Sequence, residues 1–354
     1  MICSMLLLTQ IPRTIERDLA LQGRDPISLL DGRSVVGFPS LSASHGAFIY
    51  QFESKENLQK FKSNPERYGL QIGGACGNMG PLTGRGRGQF YTVWDGRIWQ
   101  FASPQCKQNF LRNPHWYDDK PIALSKGTPQ MAREGKRLIE KVVAAHGGAQ
   151  AFANIERMTW TQEVTAARKE DSYTKTYGQD RKLGTAYGES GDGWGYKSIA
   201  NGLHAVQFGE AFVMPLVESE QRFLKNLVGK HVILLLKDRN QPSFQALAPG
   251  KVSKSGEIDL LIHYRQDRVT LIIDAKSSRI IRSYTTSRLL GPNQLLTTTY
   301  GEWKTQAGVL VPGVTTFKAT EGKPGASVVW GEPKINRAND AALFSIPESV
   351  RQAR

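Results

Sequence analysis

The chain has 354 residues, with 46 basic and 32 acidic side chains and a formal net charge of +14. At about 150 residues per domain this length allows two domains, and 40% hydrophobic with 22% charged residues is typical of folded chains. The absence of an apolar run of about eighteen residues excludes a transmembrane helix, and three cysteines exclude a disulfide-dense scaffold. The basic residues are dispersed, so nucleic acid is not an expected partner. The net positive charge is compatible with association with an anionic membrane surface.

An internal repeat occupies residues 49–68 and 98–117, where nine of twenty positions are identical. In each copy an alternating apolar strand leads to a serine, Ser54 or Ser103, where a helix N-cap is expected. An Asn-Pro pair then ends each helix, because the residue before proline is disfavoured in the α region. The repeat predicts two strand–helix units packed as one small α+β domain.

The pattern changes after a turn-rich stretch at 119–128, which is predicted to be a linker. Thr128-Pro129 opens an amphipathic helix that ends at Gly147-Gly148. A second helix is predicted at 216–228, and strands are predicted at 157–166, 171–182, 205–213, 231–237, 257–265, 268–274, 279–288, 294–304, 308–319 and 326–335. Many regularly spaced strands after one long helix predict a curved antiparallel sheet wrapped around that helix.

Three of the predicted strands are apolar on both faces: Val232–Leu236, Ile258–Ile262 and Val269–Ile273. Neither face of such a strand is expected to be fully solvated. Two interpretations remain open, a sheet covered by its own helix, or a concave sheet whose inner face lines an apolar cavity.

The N-terminal motifs resemble the YHS domain family. The resemblance covers residues 20–118, and the motifs that carry it are Gly23–Ser28, Gly46–Ser54, Phe61 with Asn64-Pro65 and Tyr68, Gly73–Cys76 and Val93–Trp99. It implies a small module that is linked to metal binding in some members and has no catalytic activity of its own.

The resemblance also implies candidate metal ligands. Metal-binding members have Phe-Cys-Ser-x-x-Cys at the helix entry and another cysteine upstream. Here Cys106 and Cys76 fill two of these places, but Ala102 replaces the first helix-entry cysteine. With Met79 and His115 as further donors, two thiols and a thioether suit a soft metal ion such as copper(I) better than zinc. No other cofactor is expected.

Cys106 has three open interpretations from its position alone. If Ser103 is the N-cap, Cys106 lies in the first helical turn, where the helix dipole favours a thiolate. In this first interpretation Cys106 is a metal ligand or a reactive thiol. The alternatives are a small buried apolar residue and a disulfide with Cys76.

Residues 128–345 resemble the half-barrel of outer-membrane lipoprotein carriers. The resemblance rests on the leading helix and on the motifs Leu271–Ser278, Tyr300–Trp303 and Gly308–Pro312. It implies a concave antiparallel sheet that holds hydrophobic chains, and it assigns no ligand-binding residue.

Motifs for catalysis are not evident. No His-Glu-x-x-His is present, Gly84–Gly88 lacks the ending of a phosphate-binding loop, and Gly188–Gly193 is interpreted as a turn rather than a nucleophile elbow.

Taken together, the patterns and resemblances predict a two-domain α+β protein, with a YHS-type module at 20–118 and a half-barrel at 129–345. Its predicted function is non-enzymatic binding of a hydrophobic lipid or acyl ligand, the module contacting a partner or metal. The alternative is a metal-binding or thiol-redox protein centred on Cys76 and Cys106.

The predicted location is the periplasm or cell envelope, with the cytoplasm as the alternative. Met1–Leu8 is mostly apolar, like part of a signal-peptide core, but it has neither a basic leader nor a small-x-small cleavage site. Residues 1–19 are accordingly expected to be a tail or the remnant of a signal peptide.

Overall fold

The computed structural model describes most of the chain. The described residues are 15, 17–82, 84–112, 114, 127–166, 169–190, 196–202, 204–209, 212–264, 267–286, 295–319 and 327–351. Most of the predicted N-terminal tail, most of the predicted linker and the candidate ligand His115 lie outside the described residues.

The N-terminal part consists of short strands and helices. They are β1 (Asp18–Leu19), α1 (Pro26–Leu30), β2 (Phe38–His45), β3 (Phe48–Phe52), α2 (Lys55–Ser63), α3 (Pro65–Tyr68), β4 (Arg87–Trp94), β5 (Arg97–Phe101) and α4 (Pro104–Arg112). Strand β3 pairs with β2 and β1, and β4 pairs with β5. The Oγ atoms of Ser54 and Ser103 accept the N–H groups of Asn57 and Cys106, which confirms both predicted N-caps.

The two repeat copies bury equivalent phenylalanines. Phe61 of α2 packs on Phe52 of β3 with ring centroids 5.0 Å apart, and Phe110 of α4 packs on Phe101 of β5 at 5.2 Å. Ile98 of the second copy belongs to the core of the first. The predicted strand–helix repeat is therefore confirmed, and its two units share apolar contacts.

The C-terminal part is dominated by strands. Its elements are α5 (Pro129–Ala145), α6 (Gly148–Ala153), β6 (Arg157–Thr165), β7 (Tyr173–Asp180), β8 (Gly184–Ser190), β9 (Tyr196–Ala200), β10 (Ala205–Gly209), β11 (Val213–Pro215), α7 (Glu218–Gly229), α8 (Val232–Lys237), β12 (Gln245–Leu247), β13 (Glu257–Tyr264), β14 (Asp267–Asp274), β15 (Ile280–Thr286), β16 (Leu295–Gln306), β17 (Val309–Ala319), β18 (Ser327–Gly331), β19 (Lys334–Ile335) and α9 (Glu348–Arg351). None of the helices in the described part of the chain is long and apolar enough to span a membrane.

These strands form one antiparallel sheet in the order β11-β10-β9-β8-β7-β6-β18-β17-β16-β15-β14-β13-β12, with β19 paired to β6. Helix α7 packs against β7, β8 and β9, whereas α5 packs against β12 and β13 near the other end. Both helices contribute to the same apolar core. The sheet must therefore bend around the helices, which confirms the predicted α+β class with a curved antiparallel sheet.

The concave side holds four helices, whereas the sheet was predicted to wrap around the single helix that begins at Thr128-Pro129. Leu138 and Val142 of α5, Phe152 of α6 and Leu224 of α7 are buried in one core with all five apolar residues of α8. The prediction of a strand at 231–237 is wrong, since Val232–Lys237 is helix α8. A short run of consecutive apolar residues fits a buried helix as well as a buried strand, so its pattern could not decide.

Several other predictions of strands need correction. Strands β8, β9 and β12 were not predicted, and the segment 205–213 contains two strands, β10 and the start of β11. Residues 188–190, interpreted as part of a turn, belong to β8, while 191–193 lie outside the described residues. The glycines of β8 weaken its alternation, which is why it resembles a turn in sequence.

Candidate functional site

A cavity of about 280 Å³ lies between the concave face of the sheet and the junction of α7 with α8. Its floor comes from alternate residues of five neighbouring strands, β14 to β18, and Gln162 of the adjoining strand β6 also lines the cavity. Successive side chains of a strand point to opposite faces, so alternate residues share the concave face. The floor residues are Val269, Leu271, Ser283, Thr285, Leu296, Thr298, Tyr300, Thr315, Phe317, Val328 and Trp330.

The strand register places these floor residues side by side. Ser283 is paired with Leu271 on one side and with Thr298 on the other. Thr298 is in turn paired with Phe317, and Phe317 with Val328. The floor is thus a continuous grid that contains both apolar side chains and small hydroxyl side chains.

The roof of the cavity is formed by the end of α7 and by α8, through Leu227, Lys230, His231, Val232 and Leu235. Lys230 is half-buried, and it is the one lysine, arginine, aspartate or glutamate among the described lining residues. The cavity therefore has a mostly apolar lining with one cation at its edge.

His231 is a neutral histidine in this roof. Burial lowers the pKa of His231 to about 3. Its Nδ1 accepts the N–H of Ile233 at 3.3 Å and thereby caps α8. Because Nδ1 is an acceptor, the imidazole proton is on Nε2, so the ring offers a single N–H donor.

Trp330 connects the floor with the roof. Its ring stacks on His231 with centroids 5.6 Å apart and an interplanar angle of 11°. Phe317 meets it edge-on at 4.6 Å. The indole Nε1–H donates to Oε1 of Gln162 at 3.1 Å. The same oxygen accepts a hydrogen bond from the hydroxyl of Tyr177 at 2.9 Å. These contacts fix the orientation of the largest aromatic side chain that lines the cavity.

Tyr300 is a second polar group that is held uncharged. Burial raises the pKa of Tyr300 to about 12, and its hydroxyl lies 2.8 Å from Oγ of Ser283. A concave apolar surface with a few fixed, uncharged polar groups is typical of small-molecule binding sites, whose volumes are about 300–1,000 Å³. The cavity is close to the lower end of that range, so it suits a narrow ligand such as an alkyl chain.

Sequence reasoning found part of this site. Val269 and Leu271 belong to one of the strands predicted to be apolar on both faces, and both line the cavity. The segment 232–236 also lines it, but as a helix. The contributions of His231 and Trp330 were missed, because their stacking joins residues 99 positions apart in sequence, a contact no local pattern reveals.

The candidate metal ligands lie in a second, separate region. Cys76 and Cys106 are both free thiols in the apolar cluster around Phe101 and Phe110, so the structure has no disulfide between them. Met79 has 46% of its surface exposed. Within the described residues no group of three or more His, Cys, Asp and Glu side chains is arranged to hold a metal.

The surroundings of Cys76 act on its thiol in opposite directions. Burial raises the pKa of Cys76, and the nearby Cys106 adds to this rise. The nearby backbone N–H groups of Ala102, Asn78 and Met79 lower the pKa, but not enough to cancel the rise. These N–H groups would favour a thiolate at Cys76 once a cation is present to compensate for burial.

The fold and cavity define an α+β protein with a curved antiparallel sheet that encloses helices and an apolar cavity. No protein-family model and no curated protein matches the chain. A crystal structure of a LolA superfamily protein from Nitrosomonas europaea is similar, with 13% identity, 60% of this chain and 97% of that chain covered, and a TM-score of 0.41.

Two further solved structures are similar over the same share of the chain. A domain described as an outer membrane lipoprotein-sorting protein, from Vibrio parahaemolyticus, is 10% identical, with 60% of this chain and all (100%) of that chain covered and a TM-score of 0.36. A DUF1329 family protein from Desulfovibrio piger is 9% identical, with coverage of 60% and 97% and a TM-score of 0.35. These values assign neither a family nor a function, and the YHS resemblance of residues 20–118 stays a prediction.

Proposed function

We propose that this protein is a non-enzymatic binding protein whose curved sheet holds a lipid, an acyl chain or another hydrophobic ligand. The observation that carries the proposal is the cavity of about 280 Å³ on the concave face. Its floor is a grid of apolar and hydroxyl side chains, and the buried His231 and the half-buried Tyr300 are held uncharged. An alkyl chain entering this space would remove its apolar surface from water, which is favourable, and would gain contacts with the floor.

A series of straight-chain alcohols tests the proposal directly. We expect calorimetric titration with hexan-1-ol to decan-1-ol to show affinity rising with chain length, because each buried methylene contributes about 0.8 kcal/mol, roughly fourfold in Kd. The increase should stop once the chain fills the cavity. Absence of binding, or binding that does not depend on chain length, would contradict the proposal.

A pair of matched variants locates the binding. Thr298 is buried in the middle of the cavity floor, whereas its neighbour Thr299 is exposed on the opposite face of β16. We expect Thr298→Phe to fill the cavity and weaken decan-1-ol binding by about tenfold or more, since several methylene contacts are lost. Thr299→Phe adds the same side chain outside the cavity and should bind decan-1-ol like the wild type. Equal affinities of the two variants would place the ligand elsewhere.

We also propose a location in the cell envelope and contact with an anionic membrane surface. The support is the net charge of +14 and the apolar segment Met1–Leu8. Vesicles that contain phosphatidylglycerol should co-sediment with the protein at low salt and release it at about 0.5 M salt, since screening removes surface electrostatic attraction. Equal binding to neutral vesicles would contradict the electrostatic part, and recovery of the native protein only in the cytosolic fraction would contradict the location.

A second candidate function is metal or redox chemistry at Cys76 and Cys106, through the YHS-type module. The observation that favours it is that the thiol of Cys106 and the backbone N–H groups of Ala102, Asn78 and Met79 lie near enough to the sulfur of Cys76 to influence its pKa. Two thiolates suit a soft cation such as copper(I). Met79 and His115 would be the further donors.

Copper(I) titration against a chromogenic competitor separates this candidate from the first. We expect Cys106→Ser and Cys76→Ser each to lose high-affinity binding, whereas Cys3→Ser, which alters the third cysteine of the chain, should keep it. Unchanged binding in Cys106→Ser would remove the metal site without affecting the proposal for the curved sheet.

A further inference from the structure

A second cavity, of about 420 Å³, lies where the N-terminal part packs against the curved sheet. It is separate from the cavity of the proposed function. The two lie toward opposite ends of α7, since Glu220 lines this one and Leu227 lines the other, which separates them by about 10 Å at 1.5 Å per residue. We call it the interfacial cavity.

Specific contacts fix the walls of the interfacial cavity. Leu82 of the N-terminal part is buried in the core of the curved sheet, and its carbonyl accepts the hydroxyl of Tyr196 at 2.7 Å. The N–H of Glu218 donates to Oε1 of Glu66 at 2.8 Å. Gly73 approaches so closely that a Cβ there would lie 2.3 Å from the carboxyl of Glu220. Because both walls are held by these contacts, the space between them is a formed cavity.

One end of the interfacial cavity is polar because Arg85 lines it. Nη1 of Arg85 donates to Oδ2 of Asp18 at 2.8 Å, and the guanidinium lies 5.4 Å from the centroid of the Phe48 ring. Nη2 is buried and has no hydrogen-bond partner within the part of the chain that the structure describes. A buried guanidinium nitrogen without an acceptor is costly, so an acceptor supplied by a ligand would be strongly favoured.

Glu220 is the second polar group at this end. Its side chain is 8% exposed, and Oε2 accepts the N–H of Val217 at 3.0 Å. Burial raises the pKa of Glu220 to about 8, although the charge of Arg85 acts in the other direction. At neutral pH the carboxyl is therefore mostly protonated and offers an O–H donor. The rest of the lining is largely apolar, with Leu82, Met214 and Leu216 among its residues.

We propose that the interfacial cavity binds a small amphiphilic monocarboxylic acid, with its carboxylate between Arg85 and Glu220 and its alkyl tail against Leu82, Met214 and Leu216. A carboxylate has two oxygens, one for the guanidinium of Arg85 and one for the O–H of Glu220. Arginine is the side chain best suited to this group, since its planar fork matches carboxylate geometry. The ligand's single carboxylate would supply the one acceptor that Nη2 of Arg85 lacks among the described residues.

Calorimetric titration with octanoate tests the head-group assignment. We expect Arg85→Met, which keeps an apolar stem, to weaken octanoate binding by about tenfold or more, because a hydrogen bond to a charged group is lost. Arg85→Lys, which keeps the charge and the contact with Asp18, should give an intermediate loss. Octan-1-ol should bind at this site more weakly than octanoate by a similar factor.

The outcomes against the proposal are equally specific. Wild-type affinity for octanoate in Arg85→Met, no octanoate binding by the wild type, or tighter binding of octyl phosphate than of octanoate would each overturn it. Thr298→Phe should leave octanoate binding unchanged and Arg85→Met should leave decan-1-ol binding unchanged, so failure at one cavity is distinguishable from failure at the other.

The pH dependence of octanoate binding tests the role of Glu220. The groups that act on its carboxyl are Arg85, the carboxylate of Glu66 and the N–H of Val217. The carboxylate of Glu66 is in turn hydrogen-bonded to His45. Tyr50 lies near enough to Glu220 for the charge of Glu220 to raise the pKa of Tyr50. We expect wild-type affinity to fall as the pH rises through about 8, because ionised Glu220 then repels the carboxylate.

Glu220→Gln is the matched variant for this experiment. Its amide keeps the shape and an N–H donor but does not titrate, so octanoate affinity should stay constant between pH 7 and pH 9. Thermal unfolding verifies that the variant is folded. A fall in affinity through the same range in Glu220→Gln would exclude the assigned role of Glu220.

Discussion

The carboxylate of Asp25 organises the start of the N-terminal part. Its Oδ1 accepts the N–H groups of Ile27 and Ser28 at 2.8 and 3.2 Å, which caps α1. Its Oδ2 accepts the N–H of Glu53 and the Nδ2–H of Asn57, both at 2.8 Å. Asp25 thus joins α1 to the beginning of α2, and it belongs to the Gly23–Ser28 motif on which the YHS resemblance partly rests.

We expect Asp25→Ala to lower the free energy of unfolding by about 2–4 kcal/mol, because a helix cap is lost and donors near the core are left without an acceptor. Urea unfolding followed by circular dichroism measures the change. The matched control is Asp31→Ala at an exposed position after α1. Its effect should be within about 0.5 kcal/mol. Similar losses for both variants would show that Asp25 has no special structural role.

Glu220 makes the stability of the protein depend on pH. Its pKa in the folded chain is about 8, above the ordinary value of 4.5, so the folded state binds this proton more tightly than the unfolded state does. The contribution of Glu220 to stability is therefore fully present below about pH 4.5 and is lost as the pH rises to about 8.

We expect Glu220→Gln to remove this contribution to the pH dependence, which amounts to a few kcal/mol between about pH 5 and pH 8. Thermal unfolding of both proteins over this range measures it. If the difference in melting temperature between wild type and variant does not change with pH, Glu220 titrates in the folded chain as it does in solution.

At the scale of elements, α8 shows where sequence patterning stops being informative. Its apolar residues are all buried, so no solvated face reveals a period of two or of 3.6. His231 caps it through a ring nitrogen, which differs from the usual serine, threonine or aspartate signal. In contrast, α5 has a buried and an exposed face and a threonine cap, and the prediction of a helix from Thr128-Pro129 to Gly147-Gly148 is confirmed.

The central position of α8 predicts a large effect of truncating its side chains. We expect Leu236→Ala to lower the free energy of unfolding by about 2–5 kcal/mol, because a fully buried side chain is replaced by a void. Leu183→Ala, at a leucine with 40% of its surface exposed, is the matched control and should cost much less. A cost for Leu236→Ala as small as that of the control would mean that α8 is not part of the core.

At the scale of the whole molecule, the fold is easier to predict than the site, because strands leave local patterns in the sequence whereas the site depends on contacts between distant residues. Short segments rich in apolar residues and bounded by turn residues mark these strands, so β13 to β18 were predicted within a few residues of their observed bounds. The cavity depends instead on how five of these strands curve and on how Trp330, His231 and Gln162 meet across long stretches of chain. The interfacial cavity was equally hidden, because it needs both Arg85 and Glu220, 135 positions apart.

The central claim, that the concave face of the sheet binds an apolar chain, is tested most directly by diffraction from crystals soaked with 10-bromodecan-1-ol. The account predicts an anomalous bromine peak inside the cavity bordered by Leu271, Phe317 and Trp330, and no such peak in Thr298→Phe. Ordered water throughout that cavity, or bromine bound only at the protein surface, would contradict it.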